Sequence, residues 1–161
     1  MDVINPLAIV VAAVAALAIG ALWYNPKVFG TAWMRESDMT PEKMQKGNIA
    51  VIFGVVLVFA ALLALLLVQF TNHDFGAVQM IGGDPSTAKP SFEAFMADYG
   101  NAFRSAKHGA LHGALFAVLG ALPILGTNAL FERKSWKYIF INVGYWLVTL
   151  TVMGAILCGW Q

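Results

Sequence analysis

The chain has 161 residues, 59% of them hydrophobic and 12% charged, with a formal net charge of +1. Soluble domains carry about 25% charged residues, so half the usual charge cannot cover a water-facing surface and most of the exterior must face an apolar phase. Near-neutrality gives no basis for nucleic-acid binding, and the single cysteine, Cys158, excludes an intramolecular disulfide.

The first apolar run extends from Val3 to Trp23, broken only by Asn5 and Pro6. About 20 helical residues cross roughly 30 Å of hydrocarbon. No Lys or Arg precedes the run, and it is long for the apolar core of a signal peptide, so it is read as a permanent span, residues 3–24. Ala8, Ala12, Ala16 and Gly20 recur every fourth residue, a ladder that lets helix backbones approach. The span runs into GALWYNPKVFGTAW, where Trp23, Tyr24, Phe29 and Trp33 surround Pro26 and Gly30. Trp and Tyr favour headgroup depth, and Pro26 pushes Asn25 out of helical geometry, which ends the helix there. Phe29 and Trp33 are expected to dip back toward the interface across a turn at Gly30. Thr40 as N-cap, Pro41 at the first helical position and Glu42 then predict a short helix that ends near Gly47.

The second run, Ile49 to Phe70, gives a span over 49–70. The following connection, 71–104, is the longest. Its centre, GGDPSTAKP, reads as irregular. Beyond it Phe92, Phe95, Met96, Tyr99 and Phe103 recur at helical steps, which predicts an amphipathic helix on the outer leaflet. The third run, Leu111 to Phe131, extends to a span over 108–131. It carries a second ladder, Ser105, Gly109, Gly113, Ala117 and Ala121, and a kink is expected at Pro123 beside Gly120. The fourth run, Ile139 to Trp160, gives a span over 137–160. The predicted fold is an all-α membrane protein: one domain, 1–161, of four transmembrane helices arranged as two hairpins, with a short cytoplasmic helix and an outer-leaflet amphipathic helix. The first connection (Lys27, Arg35, Lys43, Lys46) and the third (Arg133, Lys134, Lys137) hold most of the basic residues. The positive-inside rule therefore places them in the cytoplasm of a multi-pass inner-membrane protein, with both termini outside, although Arg104 and Lys107 pull the other way.

Polar groups inside apolar runs are functional candidates, because they cost free energy unless paired. Tyr24, Asn25, Asn128, Glu132, Asn142 and Tyr145 all belong near the cytoplasmic ends of their spans and are expected to converge in a hydrogen-bonded cluster that fixes the bundle. His108 and His112 share one helix face at the outer boundary. Two ligands are too few for a structural zinc site, and HGALH lacks the glutamate of the zinc-protease motif, so the pair is read as structural, with no metal or cofactor. No GxSxG, Gly-rich phosphate loop or CxxC occurs.

The ordered elements LWYNPKVFGTAWM, NALFE and INVGY…MG resemble the bacterial membrane-protein family of domain of unknown function 1761 over nearly the whole chain. The matching positions are Trp23, Tyr24, Pro26, Phe29, Gly30, Trp33 and Met34; Asn128, Leu130, Phe131 and Glu132; and Asn142, Gly144, Tyr145, Met153 and Gly154. The resemblance implies four spans and, by the family's name, offers no activity. The leading functional expectation is a non-enzymatic membrane protein, surrounded by lipid, that packs against copies of itself or within a larger membrane complex. A small-solute or proton conduit along the third and fourth spans, and a lipid- or quinone-binding protein, are the alternatives.

Overall fold

A computed structural model describes residues 4–160; Val3, where the first apolar run begins, lies outside the described residues. Four helices are long and apolar enough to cross a membrane: α1 (Pro6–Trp23), α4 (Ile49–Thr71), a third (Ala106–Phe131) built from α7 (Ala106–Phe116), a π-helical turn (Ala117–Ala121) and α8 (Leu122–Phe131), and α9 (Trp136–Gly159). No strand occurs among the described residues. Each span opens on a side chain that accepts from its first turn: Asn5 from the Leu7 and Ala8 amides, Asn48 from Val51, Ser105 from His108 and Ser135 from Tyr138. These caps satisfy amides that have no intrahelical partner, each worth about 1 kcal/mol.

The spans meet through small residues, because lipid offers no hydrophobic drive for helices to associate and close packing must supply the attraction. α9 runs antiparallel to α7. A Cβ on Gly109 would fall on the Gly154 carbonyl and 2.5 Å from the Cys158 Cβ, and a Cβ on Gly113 would fall on the Leu150 carbonyl. Ala8, Ala12 and Ala16 of α1 are buried in one apolar cluster with Ala60 and Ala64 of α4 and Leu150 and Met153 of α9. Both long ladders are thus used inside the chain. Phe53, Phe59 and Leu62 of α4 face outward, as expected of a lipid-facing surface.

The disturbance expected near Pro123 takes the form of the π-helical turn, in which the Leu122 amide bonds to the Ala117 carbonyl, five residues back. One extra residue in a turn rotates everything after it by about 100°. In an unbroken α-helix Asn128, eleven residues beyond Ala117, would point within about 20° of it. With the insertion that direction passes to Ala129, which is buried, and Asn128 is exposed.

The first connection contains the expected helix, α3 (Pro41–Gln45), with the Thr40 hydroxyl accepting from the Lys43 amide. It also contains α2 (Gly30–Glu36), so Gly30 begins a helix where only a turn was expected. A Cβ at Gly30 would fall on the Tyr24 carbonyl, so the chain can fold back there only with glycine. The second connection holds α5 (His73–Met80), a glycine turn with positive φ at Gly82 and Gly83, a short 3₁₀ turn (Pro85–Thr87) and α6 (Pro90–Tyr99). α5 was not expected from the sequence. Phe103 lies beyond the end of α6, at φ 63°, rather than continuing its apolar stripe as helix.

Candidate functional site

At the end of the bundle where α1 finishes and α9 starts, the aromatic motif docks one helix on the other. The Trp23 indole N–H donates to the Ile141 carbonyl (3.0 Å) and the Tyr24 hydroxyl to Asn142 Oδ1 (3.0 Å). The Asn142 amide in turn donates to the Tyr138 carbonyl (2.8 Å), and the Tyr145 hydroxyl to the Ala16 carbonyl (3.1 Å). The Tyr24 ring lies 5.3 Å from that of Tyr145 and 5.4 Å, edge-on, from that of Trp33; Trp23 lies 4.5 Å from Phe29. Gly144 makes room for the Trp23 ring, since a Cβ there would stand 2.9 Å from it. Gly20 sits under Tyr145 at ordinary contact distance.

Of the six residues expected to converge, the structure brings together Tyr24, Asn142 and Tyr145. Asn25 is exposed and turns to the loop, its side chain accepting from the Lys27 amide (2.9 Å) and its carbonyl from the Val28 and Gly30 amides. The π-helical turn swings Asn128 away from α9, and Glu132, just past the helix end, is exposed. Pro26 sets the fold-back, its carbonyl accepting from the Thr31 hydroxyl (3.0 Å). Alongside, Glu36 accepts from the Ser135 hydroxyl (2.6 Å) and Asp38 pairs with Lys134 (2.9 Å), tying the first connection to the start of α9. The Ser135 hydroxyl, then Arg35, holds Glu36 below the usual carboxylate range, and Lys134 does the same for Asp38. Trp23, Tyr24, Asn142 and Tyr145 are each bonded to one another or to the main chain, so the joint reads as architecture.

The opposite end is different. His108 and His112, one turn apart on α7, have ring centroids 4.4 Å apart, and His73, the first residue of α5, meets both at 4.9 and 5.2 Å. His108 Nε2 and His73 Nε2 are 2.9 Å apart. To the expected pair of His108 and His112 the structure adds a third ring, that of His73. No spacing rule connects it to a pair 35 residues downstream. The signal was topological: with four spans, the end of the second and the start of the third share one side. α5 is held there by Asp74, which pairs with Arg104 (3.3 Å) with only 10% and 15% of the side chains exposed; Arg104 also donates to the Trp160 carbonyl (3.3 Å). Phe103 stacks on His108 (5.2 Å, 28°) and meets His73 edge-on.

His73 and Asp74 also line a groove of about 930 Å³ between α5 and α6. Its walls are the stripe Phe92, Phe95, Met96, Tyr99 and Phe103 on one side and Ala77, Met80 and Ile81 on the other. The stripe therefore faces α5 across an open groove.

Trp23 and Tyr24 meet Gly144, Asn142 and Tyr145, with Phe29 and Trp33 packed on their far sides, and the model of a family described as protein of unknown function (DUF1761) matches residues 7–158. The chain belongs to the DUF1761 family. In this DUF1761 protein the match runs from the first turn of α1 to the last turn of α9 and takes in both the aromatic joint and the three histidines. No curated protein and no solved structure matches the chain.

Proposed function

We propose that this DUF1761 protein is a multi-pass membrane protein that binds an amphiphilic, lipid-like molecule in the groove between α5 and α6. The observation that carries the reading is the groove itself. Its volume, about 930 Å³, falls in the range of small-molecule sites, and its lining is mostly aromatic and aliphatic with a few polar groups, His73, Asp74, Lys89 and Ser91. In a protein that crosses a membrane, an apolar tail with a polar head has immediate access to such a space. Native mass spectrometry of the full chain from gentle detergent tests it. One bound lipid- or isoprenoid-class molecule per chain is expected, lost in Ala77→Trp, which fills the groove. A ligand-free chain, or bound lipid that Ala77→Trp leaves unchanged, overturns the reading.

Self-association is the second reading, and α4 is the surface that favours it. Phe53, Phe59 and Leu62 are exposed there, and nothing lies within 4 Å of a Cβ on Gly54. The ladders of α1 and α7 do not support it, since the chain already uses them. The conduit reading has little support: Tyr24, Asn142 and Tyr145 are bonded to one another or to carbonyls, and α7 meets α9 through Gly113 and Leu150, which leaves the buried Thr149 hydroxyl as an isolated polar group.

A further inference from the structure

We propose that His73, His108 and His112 form a site for a single divalent transition-metal ion of imidazole preference, with zinc as the leading candidate, and that the site keeps one coordination position open beside the groove. One ring nitrogen from each histidine lies within 4.8 Å of the other two. Zinc–imidazole bonds of about 2.0–2.1 Å in a tetrahedral site place such nitrogens about 3.3 Å apart. The His73 and His108 nitrogens, at 2.9 Å, stand slightly inside that separation. Small imidazole rotations, on the order of 1 Å at the nitrogens, close the set around an ion.

Chemistry favours a cation over a merely hydrogen-bonded cluster. The neighbouring carboxylate, Asp74, is taken by Arg104, and the one polar contact between histidine side chains joins His73 to His108. The lone pairs of neutral imidazole rings bind borderline-soft metals. The surroundings are also built. The Ser105 cap starts α7 one turn before His108, the Asp74–Arg104 pair anchors α5, and Phe103 packs on two of the three rings. Ligands oriented by such outer contacts bind metal more tightly than free ones. Three nitrogen ligands leave a fourth position for water or for an oxygen of a bound molecule, as in open zinc sites. His73 lies both in this set and in the groove wall, so a carboxylate, phosphate or quinone oxygen at the head of the groove's occupant would be the natural fourth ligand. The metal site itself does not depend on the groove being filled.

The test uses the full chain in detergent, purified through a tag that contains no histidine. Zinc is titrated calorimetrically, and cobalt(II) by visible absorption, whose intensity reports a tetrahedral nitrogen-rich site. One equivalent per chain is expected. His73→Gln and His112→Gln should each weaken binding by about 100-fold or more, beyond the 10–100-fold typical of outer-shell losses. Zinc should raise the melting temperature of the wild type and not that of the double variant, and an unchanged helical circular-dichroism spectrum separates loss of the site from loss of the fold. Absence of saturable binding at one ion per chain, or equal binding by the His73→Gln/His112→Gln variant, overturns the proposal.

Discussion

Gly113→Ala probes the tightest contact in the bundle. A Cβ at this position would fall on the Leu150 carbonyl and stand 2.6 Å from its carbon and 3.0 Å from the Thr151 Cα. Carbon atoms in ordinary contact are about 3.5–4.0 Å apart, so α7 and α9 must separate by about 1 Å locally. The atoms struck belong to main chain, and no side chain can rotate away. Overpacking of this kind costs about 1–3 kcal/mol, and a contact with backbone belongs at the upper end. Replacing glycine by alanine in a helix returns about 1 kcal/mol of propensity, which leaves a net loss of about 2 kcal/mol. For a chain of this size each kcal/mol moves the melting temperature by about 2–4 °C, so Gly113→Ala should melt about 4–8 °C lower in a detergent thermal-shift assay. Gly54→Ala supplies the internal comparison. Nothing lies within 4 Å of its new Cβ, and its melting temperature should hold or rise slightly. Equal stability of Gly113→Ala and Gly54→Ala would refute the argument that small residues set the α7–α9 distance.

Tyr24→Phe removes the donor to Asn142 and should cost about 1 kcal/mol, read as a lower melting temperature with no change in the tryptophan emission that reports Trp23 against α9. Asp74→Asn breaks the largely buried pair with Arg104 and should speed hydrogen exchange across α5 while leaving α9 unaffected; uniform exchange would show that α5 is anchored by other contacts. Glu36 and Asp38 have folded-state pKa values below their ordinary ones, so the stability they add is present above the unfolded carboxylate range and is lost as pH falls through the lowered folded values. Proteolysis of the first connection between Ser37 and Asn48 should therefore accelerate below about pH 4 and stay flat between pH 5 and 7, as followed with an acid-active protease.

The four long apolar helices were legible because a twenty-residue apolar run is a solvent statement that survives any packing arrangement. The caps at Asn5, Asn48, Ser105 and Ser135 account for where each long helix begins. The aromatic joint was half legible. Tyr24, Asn142 and Tyr145 lay at the same depth, and depth can be counted along a run. Asn128 failed the same count, because a five-residue turn ahead of Pro123 cannot be seen in an alternation of Ala, Val, Leu and Gly. α5 carries a weak apolar pattern and few helix signals, so its helix, and with it His73, came into view only through the contact with α7. Two residues of HGALH announced themselves by spacing; the third is a neighbour in space alone.

The extra residue in the third span also bears on how related chains should compare. A π-helical turn is what a helix becomes when one residue is added and both flanking halves keep their old partners. α7 keeps Gly109 and Gly113 against α9, and α8 keeps Gly126 and Ala129 buried. Relatives without a proline at the position of Pro123 are therefore expected to be one residue shorter between the positions of Ala117 and Ala121, with the gap falling inside a membrane span, where length changes are otherwise rare. Deleting Leu119 here together with Pro123→Ala recreates that shorter chain, and it should fold more readily than a one-residue deletion anywhere else in the same helix.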